Sequence, residues 1–216
     1  MGTPSDKKVS KKNPYDSSFL GNAFLEKIIR NEVNESILDD KVRRILRIIY
    51  RTSLNKNRTY GSVNNKDHSN TAYRVATEGI VLLQNTDSFL PINSSEKITI
   101  AVIGENATKS MTIGGGSSEL KANYEILPLE GIQNEFKNAN ILYSVGYTSK
   151  NETYEIKQKL KKDAIIIAEQ ADVVLFIGGL NKNLFQDCEN ADRKYFNLPY
   201  NQDELIESIS KINKNA

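Results

Sequence analysis

The sequence predicts an α/β fold with a mostly parallel sheet that is enclosed by helices. Three apolar runs, at residues 97–104, 140–145 and 173–177, have the length and aliphatic content of buried strands. Segments with helical periodicity lie between these runs and after the last of them. Since parallel strands need a crossover connection, this alternation of strands and helices indicates parallel pairing.

Helices precede the predicted sheet. Residues 1–17 are polar, with prolines and several Lys and Ser, and we expect them to be irregular. Helices are predicted over residues 19–33 and 35–54, and the second carries one apolar stripe at helical spacing. The residues of this stripe are Leu38, Val42, Ile45 and Ile49. A polar segment rich in Asn and Lys, residues 55–67, predicts a linker between two structural units.

The remaining elements follow in the order that an α/β sheet requires. A third helix is predicted over residues 69–78, and the apolar run at residues 80–83 predicts a short strand. The helices expected between and after the longer strands cover residues 129–136, 154–170 and 202–212. The loop before the last of these helices is roughly 20 residues long, and loops of that length are often functional.

Composition excludes several classes of function. The 29 Lys and Arg residues against 27 Asp and Glu give a net charge of +2, which offers no basis for nucleic-acid binding. No apolar stretch approaches the ~18–20 residues of a membrane-spanning helix, so we expect no membrane partner. One Cys with one His allows no internal disulfide and predicts no structural zinc site. We therefore expect no metal and no cofactor.

The long loop after the third strand carries the strongest candidate for chemistry. Ligands of α/β sheets bind beyond the carboxyl ends of the strands, which is where this loop begins. Glu189 lies in the loop, and a carboxylate at such a position can act as a general acid or base. Among its neighbours, Asp187 and Asp192 would raise the pKa of Glu189, and Arg193 would lower it. From the residues alone, a solvated loop with a local Asp–Arg pair is as good an interpretation as catalysis.

A glycine-rich segment, residues 113–118 (IGGGSS), is the second candidate. Its glycines allow a ligand to approach the backbone closely. A phosphate-binding loop would place such glycines directly between a strand and a helix N-terminus. Here the preceding strand already ends near Gly104, and the Gly-Lys-Ser/Thr of a P-loop is absent. The segment therefore indicates a surface or substrate-facing loop rather than a nucleotide site.

Two residues of types that often take part in catalysis have simpler interpretations. His68 is the only histidine and precedes a predicted helix, so we interpret it as a surface or capping residue. Cys188 adjoins Glu189, but no histidine base lies near it in the sequence, and we interpret it as a bystander.

A series of short motifs runs through nearly the whole chain. In order, the motifs are LDDKVRRILR (38–47), TEGIVLLQN (77–85) followed by LPI (90–92), AVIGENA (101–107), GGGSS (114–118), PLEGI (128–132), ADVVLFIGGLN (171–181), ENADR (189–193) and LPYNQDELI (198–206). Each motif is weak alone, but in this order they resemble glycoside hydrolase family 3, the family of many β-glucosidases and β-xylosidases. The first motif is similar to the last helix of that family's catalytic barrel, and the second to the entry to its second domain.

The resemblance implies a retaining mechanism that cleaves O-glycosidic bonds, of the β-glucosidase or β-xylosidase type. The family carries an aspartate nucleophile on its barrel, and many members carry the acid/base glutamate on a loop of the following α/β sandwich domain. Glu189, in its Glu-x-x-Asp-Arg context, stands at the position of that glutamate. The resemblance also implies that Asp192, Arg193 and the glycine-rich loop contact the carbohydrate substrate. The loop residues concerned are Gly114, Gly115, Gly116 and Ser117.

The chain also departs from the family pattern. It contains no tryptophan and hence no Ser-Asp-Trp nucleophile motif, and the Lys-His sugar-binding pair of the barrel is absent. We expect a fragment truncated on both sides, with residues 1–54 as the end of the barrel, 55–79 as linker and connecting helix, and 80–216 as an incomplete sandwich domain. The missing barrel is the expected packing partner. The isolated chain is predicted to be inactive, because half of the carboxylate pair is missing.

Two other interpretations remain open. The chain could be a non-catalytic α/β module that binds carbohydrate or another protein, in which case Glu189→Gln would leave saccharide binding unchanged. It could instead bind a nucleotide, and the absence of any thermal shift with nucleotides would eliminate that interpretation.

Overall fold

The computed structural model describes residues 20–112, 120–182 and 192–216. The chain divides between His68 and Ser69 into two compact units. All strands that the structure describes lie in the second unit. The domain boundaries predicted after residues 54 and 79 stay predictions.

The first helix is shorter than the helix predicted over residues 19–33. It is α1 (Asn22–Ile29), and it ends where Asn31 adopts a left-handed backbone with a φ of 60°. The amide of Glu32 then donates to the carbonyl of Lys27 at 2.9 Å, which closes the end of the helix. Asparagine tolerates this conformation better than most residues, which explains why the helix stops here.

The second helix, α2 (Glu35–Arg51), carries the predicted apolar stripe on an exposed surface. It begins at Asn34, whose side chain accepts a hydrogen bond from the amide of Ser36 at 2.9 Å. No residue of α2 is buried, and Ile45 on the stripe is 62 % exposed. The stripe is therefore formed as predicted, and three of its four residues are exposed.

The third helix, α3 (Lys66–Gly79), begins earlier than residue 69, where it was predicted to start. Asn65 accepts a hydrogen bond from the amide of His68 at 2.8 Å, which stabilises an earlier first turn. His68 itself is exposed in that turn, in agreement with its interpretation as a surface residue.

The prediction of a strand at residues 80–83 is wrong. Residues 80–85 have no regular secondary structure, and Leu83 is 92 % exposed. A strand needs a neighbour that satisfies its backbone groups. The central strand of the described sheet already has a neighbour on each side, and neither neighbour comes from this run.

The three longer apolar runs form one parallel sheet, which confirms the predicted α/β fold. Its strands are β1 (Thr99–Ile103), β2 (Asn140–Ser144) and β3 (Val173–Phe176). They lie in the order β2-β1-β3, and Ile100 pairs with Ile141 on one side and with Val173 on the other. The central strand is the most buried, with no exposed surface from Ile100 to Ile103.

Helices pack on both faces of the sheet, because alternate residues of the central strand point to opposite sides. The helices are α4 (Pro128–Glu135), α5 (Tyr154–Gln170) and α6 (Gln202–Ser210). Ile103 shares one core with Ala164 of α5 and Leu205 of α6. Val102 shares the other core with Leu129 of α4. The predicted enclosure of the sheet by helices is confirmed.

The ends of α5 and α6 are joined by hydrogen bonds. Thr153 caps the start of α5 by accepting from the amide of Ile156 at 3.4 Å, and α5 has its predicted bounds. The helix α6 stops before residue 212, and the side chain of Asn213 donates to the carbonyls of Ala168 and Ala171 at 3.0 and 2.8 Å. These bonds draw the last residues of the chain back to the end of α5.

The described residues contain neither a membrane-spanning helix nor a cluster of metal-binding side chains. None of the described helices is both long enough and apolar enough to cross a membrane. Within the same part of the chain, no group of three or more His, Cys, Asp and Glu side chains is arranged so that it could hold a metal ion.

Candidate functional site

The carboxyl ends of the three parallel strands lie along one edge of the sheet, the edge at which α/β proteins bind ligands. The segments after β1 and β3 lead from this edge toward the two predicted functional loops. Most predicted site residues in those loops lie outside the described residues, namely Glu189, Gly114, Gly115, Gly116 and Ser117. Asp187 and Cys188 lie outside them as well.

The ends of β1 and β3 approach each other closely at this edge. Gly104, the residue after β1, has a φ of 138°, and a Cβ on it would lie 2.2 Å from the carbonyl oxygen of Ile177. Only glycine fits such a position. The amide of Ile177 also donates to the carbonyl of Ile103 at 2.7 Å. The segment after β3 is therefore held against β1 as far as Ile177.

Two buried side-chain amides, which we call the amide clamp, hold the turn after β3. Gln202 accepts from the amide of Gly179 at 2.8 Å and donates to its carbonyl at 3.1 Å. Asn106 donates to the carbonyls of Gly179 and Leu180 at 3.3 and 3.5 Å. Gln202 is 0 % and Asn106 3 % exposed, so these bonds take the place of water. The clamp fixes the turn from which the Glu189 segment departs.

Tyr147, on the segment after β2, extends the same network. Its hydroxyl donates to the carbonyl of Ile177 at 3.1 Å and accepts from the amide of Asn106 at 3.4 Å. Burial raises the pKa of Tyr147 to about 12, so the phenol stays protonated and keeps donating. Segments after all three strands therefore meet in one hydrogen-bonded network.

Glu105 joins the segment after β1 to the segment after β2. Its carboxylate accepts from the amide of Ser149 and, at 2.6 Å, from the hydroxyl of the same residue. Lys109 donates to that hydroxyl at 3.4 Å. These contacts occupy the Glu105 carboxylate, so its role in the structure is to hold two loops together.

Glu125 fixes the residues that precede the glycine-rich segment. Its carboxylate accepts from the hydroxyl of Ser110 and, at 3.0 Å, from the amide of Thr112. The hydrogen bond from Ser110, together with those from Thr112, lowers the pKa of the Glu125 carboxyl. The chain is thereby held as far as residue 112, immediately before the predicted loop.

Of the predicted site residues, the structure describes Asp192 and Arg193, and both are exposed. The guanidinium of Arg193 donates to the carbonyls of Tyr195, Phe196 and Asn197, with distances of 2.7 Å to Tyr195 and 3.2 Å to Asn197. Arg193 therefore organises its own loop. The role in substrate binding that the resemblance implies for both residues stays a prediction.

Both flanks of the Glu189 segment border the same cavity. Leu180, on the turn held by the amide clamp, and Arg193 line a cavity of about 370 Å³ together with residues 195–201. A volume of that size is within the range of small-ligand sites, which begins at about 300 Å³. The described flanks thus open onto a space of the size of a small-ligand site.

Sequence reasoning missed the three residues of the network, Asn106, Tyr147 and Gln202. A signal existed for Gln202, because it lies three residues before Leu205 and seven before Ile209, on the buried face of α6. A glutamine on an apolar face has to be paired, and its position therefore marks a buried polar contact. Asn106 and Tyr147 lie in segments without such periodicity, and nothing comparable marks them.

Comparison with known proteins identifies the family of the second unit. The model of the glycosyl hydrolase family 3 C-terminal domain matches residues 80–216. Beta-glucosidase BoGH3A from Bacteroides ovatus is 41% identical over 214 residues, which are 93% of this chain and 28% of that protein. Exo-1,4-beta-xylosidase xlnD from Aspergillus oryzae is 32% identical over 203 residues, 88% of this chain and 24% of its own length. The chain thus spans about a quarter of the length of these relatives.

Solved structures share the fold. A beta-glucosidase from Kluyveromyces marxianus superposes with a TM-score of 0.73 at 17% identity, over 94% of this chain and 42% of that one. The GH3 exo-beta-xylosidase XlnD, solved with a xylobiose aziridine activity-based probe, gives a TM-score of 0.55 at 32% identity. That match covers 67% of this chain and 17% of the xylosidase.

Proposed function

Because this chain belongs to glycosyl hydrolase family 3, we propose that it is part of a retaining glycoside hydrolase and supplies the acid/base carboxylate, Glu189. The observation that best supports the proposal is the amide clamp. Asn106 and Gln202 fix the turn at Gly179 and Leu180 through four hydrogen bonds, three donated by their buried side chains and one accepted by Gln202. A catalytic loop needs rigid attachment, because small displacements of an acid from the scissile bond reduce its efficiency sharply.

In the proposed mechanism Glu189 acts twice. As an acid it protonates the glycosidic oxygen while an aspartate attacks the anomeric carbon, and as a base it then takes a proton from the water that releases the sugar. Retention requires the two carboxyl groups to be about 5–5.5 Å apart. No Ser-Asp-Trp motif occurs in the 216 residues, and we assign the nucleophile to the part of the relatives that this chain does not span.

The proposed substrates are β-linked glucosides or xylosides. The relatives at 41% and 32% identity are a beta-glucosidase and an exo-1,4-beta-xylosidase, respectively. We assign the leaving-group side of the site to Asp192, Arg193 and the glycine-rich loop, Gly114 to Ser117. A catalytic barrel is the proposed packing partner of the chain.

A chimera with BoGH3A tests the proposal. This chain replaces the matching segment of that beta-glucosidase, and the rate of hydrolysis of 4-nitrophenyl β-glucoside is measured. We expect Glu189→Gln to lower kcat/KM by about 10²–10⁴-fold, the usual contribution of general acid–base catalysis. Glu135→Gln is the matched control, since it makes the same substitution at an exposed carboxylate of α4, and it should stay within about threefold of the parent. Equal losses in both variants would refute the assignment of Glu189.

A second candidate, a non-catalytic module that binds carbohydrate or protein, is favoured by the absence of the nucleophile motif. It predicts that the chain binds cello- or xylo-oligosaccharides with an affinity that Glu189→Gln leaves unchanged. Calorimetric titration of the 216-residue chain and of its Glu189→Gln variant tests this second candidate. The first candidate is tested separately, by hydrolysis with the chimera.

A further inference from the structure

A second cavity, of about 330 Å³, lies between the segment after β2 and the first turns of α5 and α6. We call it the α5–α6 cavity, and its walls include Lys150, Lys157, Lys161 and Tyr200. Neither Asp192 nor Arg193 lines it. The cavity shares Tyr200 and Asn201 with the cavity beside Arg193 but is otherwise lined by different residues, and its volume suits a monosaccharide-sized ligand.

The α5–α6 cavity concentrates positive charge in a chain that is nearly neutral overall. Its described walls hold three lysines and one acid, Glu204, whereas the whole chain has 29 basic and 27 acidic residues. Lys161 bonds to Glu204 at 2.6 Å and so compensates that acid. Within the described part of the chain, no carboxylate forms an ion pair with Lys150 or Lys157. Two positive charges are left for a ligand.

Three carboxylates on the neighbouring helices are engaged by other groups. Asp163 of α5 pairs with Lys159 at 2.6 Å, and Glu207 of α6 pairs with Lys211 at 2.6 Å. Asp203 accepts a hydrogen bond from the amide of Leu198 at 3.2 Å. These three acids are thus engaged outside the walls of the cavity.

A fixed aromatic side chain forms another wall of the cavity. The ring of Tyr200 lies 6.3 Å from that of Tyr147, with 8° between the ring planes. Tyr147 is 4 % exposed and hydrogen-bonded, so it backs Tyr200 with a rigid surface. An aromatic face has a negative quadrupole and packs well against the C–H groups of a sugar ring. The cavity thus combines a surface for a ring with cations for an acidic group.

We propose that the α5–α6 cavity binds a small anionic carbohydrate, a sugar that carries a phosphate or a carboxylate. Lys150 and Lys157 pair with the acidic group, since an ammonium is a compact charge that binds phosphate and carboxylate well. Tyr200 packs against the sugar ring, and the amides of Asn151 and Gln158, which also line the cavity, can bond to its hydroxyls. This binding requires neither Glu189 nor hydrolysis.

Titration of the 216-residue chain tests the proposal, with binding measured by calorimetry. Glucose 6-phosphate and glucuronate are the two acidic probes, and glucose and inorganic phosphate are the controls. We expect saturable binding of at least one acidic sugar, at least about tenfold tighter than glucose and weaker at high salt. Which acidic sugar binds identifies the acidic group as phosphate or carboxylate.

Variants assign the binding to the cavity. The double variant Lys150→Gln/Lys157→Gln should weaken binding of the acidic sugar by about tenfold or more, because two charges are lost. Lys159→Gln is the matched control, since Lys159 lies on α5 but pairs with Asp163 outside the cavity walls. An equal loss in this control would overturn the proposal, as would the absence of saturable binding. Inorganic phosphate that binds as tightly as glucose 6-phosphate would refute recognition of the sugar.

Discussion

Gln202 illustrates at the scale of one residue how the sheet edge is organised. Its side chain has no exposed surface, yet both polar atoms are paired with the backbone of Gly179. The helical spacing of Gln202 with Leu205 and Ile209 predicts its burial, but its partner could not be predicted. Gly179 is distant in sequence, and the contact depends on how α6 packs against the sheet.

Replacement of Gln202 by leucine should destabilise the chain. The substitution leaves the amide of Gly179 without its partner in a partly buried turn, at a cost of about 1–3 kcal/mol. The free energy of unfolding, measured with urea, reports the change. Gln133→Leu on α4 is the control, because Gln133 is exposed. This substitution should change the free energy of unfolding by no more than about 0.5 kcal/mol. Equal effects of both substitutions would contradict the role of the amide clamp.

Tyr147 should ionise well above the ordinary pKa of a tyrosine while the chain is folded. Its pKa is raised to about 12 by burial, above the ordinary value of 10.0. Since the folded pKa is the higher one, the contribution to stability is complete below pH 10 and is lost as the pH rises toward 12. Ultraviolet absorbance of tyrosinate measures the titration. Tyr147→Phe should remove the ionisation step near pH 12, and an unchanged alkaline curve would refute the prediction.

At the scale of elements, apolar runs and helical periodicity were sufficient to predict the buried part of the chain. β1, β3 and α5 lie where the sequence places them, because each has one pattern that matches its burial. The run at residues 80–83 has the composition of a strand but no described neighbour, and pairing is a property of two segments. The amide clamp escaped prediction for the same reason.

Alanine substitutions at Gly104 and Gly131 should have opposite effects on stability, because only Gly104 lies where β1 and β3 approach closely. Gly104→Ala places a Cβ 2.2 Å from the carbonyl oxygen of Ile177, and its φ of 138° alone costs roughly 1–3 kcal/mol. In Gly131→Ala the new Cβ meets its nearest atom at 3.7 Å within α4, and alanine should stabilise the helix by about 0.5–1 kcal/mol. Thermal unfolding compares them. Equal stability of both variants would refute the packing described at this edge.

The exposed apolar stripe of α2 should cause the isolated chain to self-associate. Val42 and Ile45 are 43% and 62% exposed, and contiguous apolar surfaces of this kind promote association. Val42→Lys/Ile45→Lys should shift the chain toward monomer in sedimentation velocity. The control variant Asp39→Asn/Asp40→Asn changes the net charge by the same amount but keeps the stripe. It should not shift the chain toward monomer. A monomeric parent at all concentrations would contradict the prediction.

At the scale of the whole molecule, the chain presents a folded α/β unit whose proposed chemistry needs a second carboxylate from elsewhere. Relatives in its family are three to four times longer, since the chain spans 28% and 24% of the two described above. The isolated chain should therefore show no glycosidase activity, because a double displacement cannot proceed without the nucleophile. An assay of the purified chain with 4-nitrophenyl β-glucoside checks this prediction. Hydrolysis that is lost on mutation of Glu189 would contradict it.

The response of a Glu189→Ala variant of the BoGH3A chimera to azide tests the acid/base role of Glu189 directly. Strongly acidic phenols leave aryl glucosides without being protonated. The first step, which forms the glucosyl-enzyme, therefore survives the loss of the acid. Azide then attacks the glucosyl-enzyme without needing a base. We predict that azide restores turnover of 2,4-dinitrophenyl β-glucoside and forms β-glucosyl azide. No azide adduct, together with equal loss of activity for all leaving groups, would show that Glu189 is not the acid/base residue.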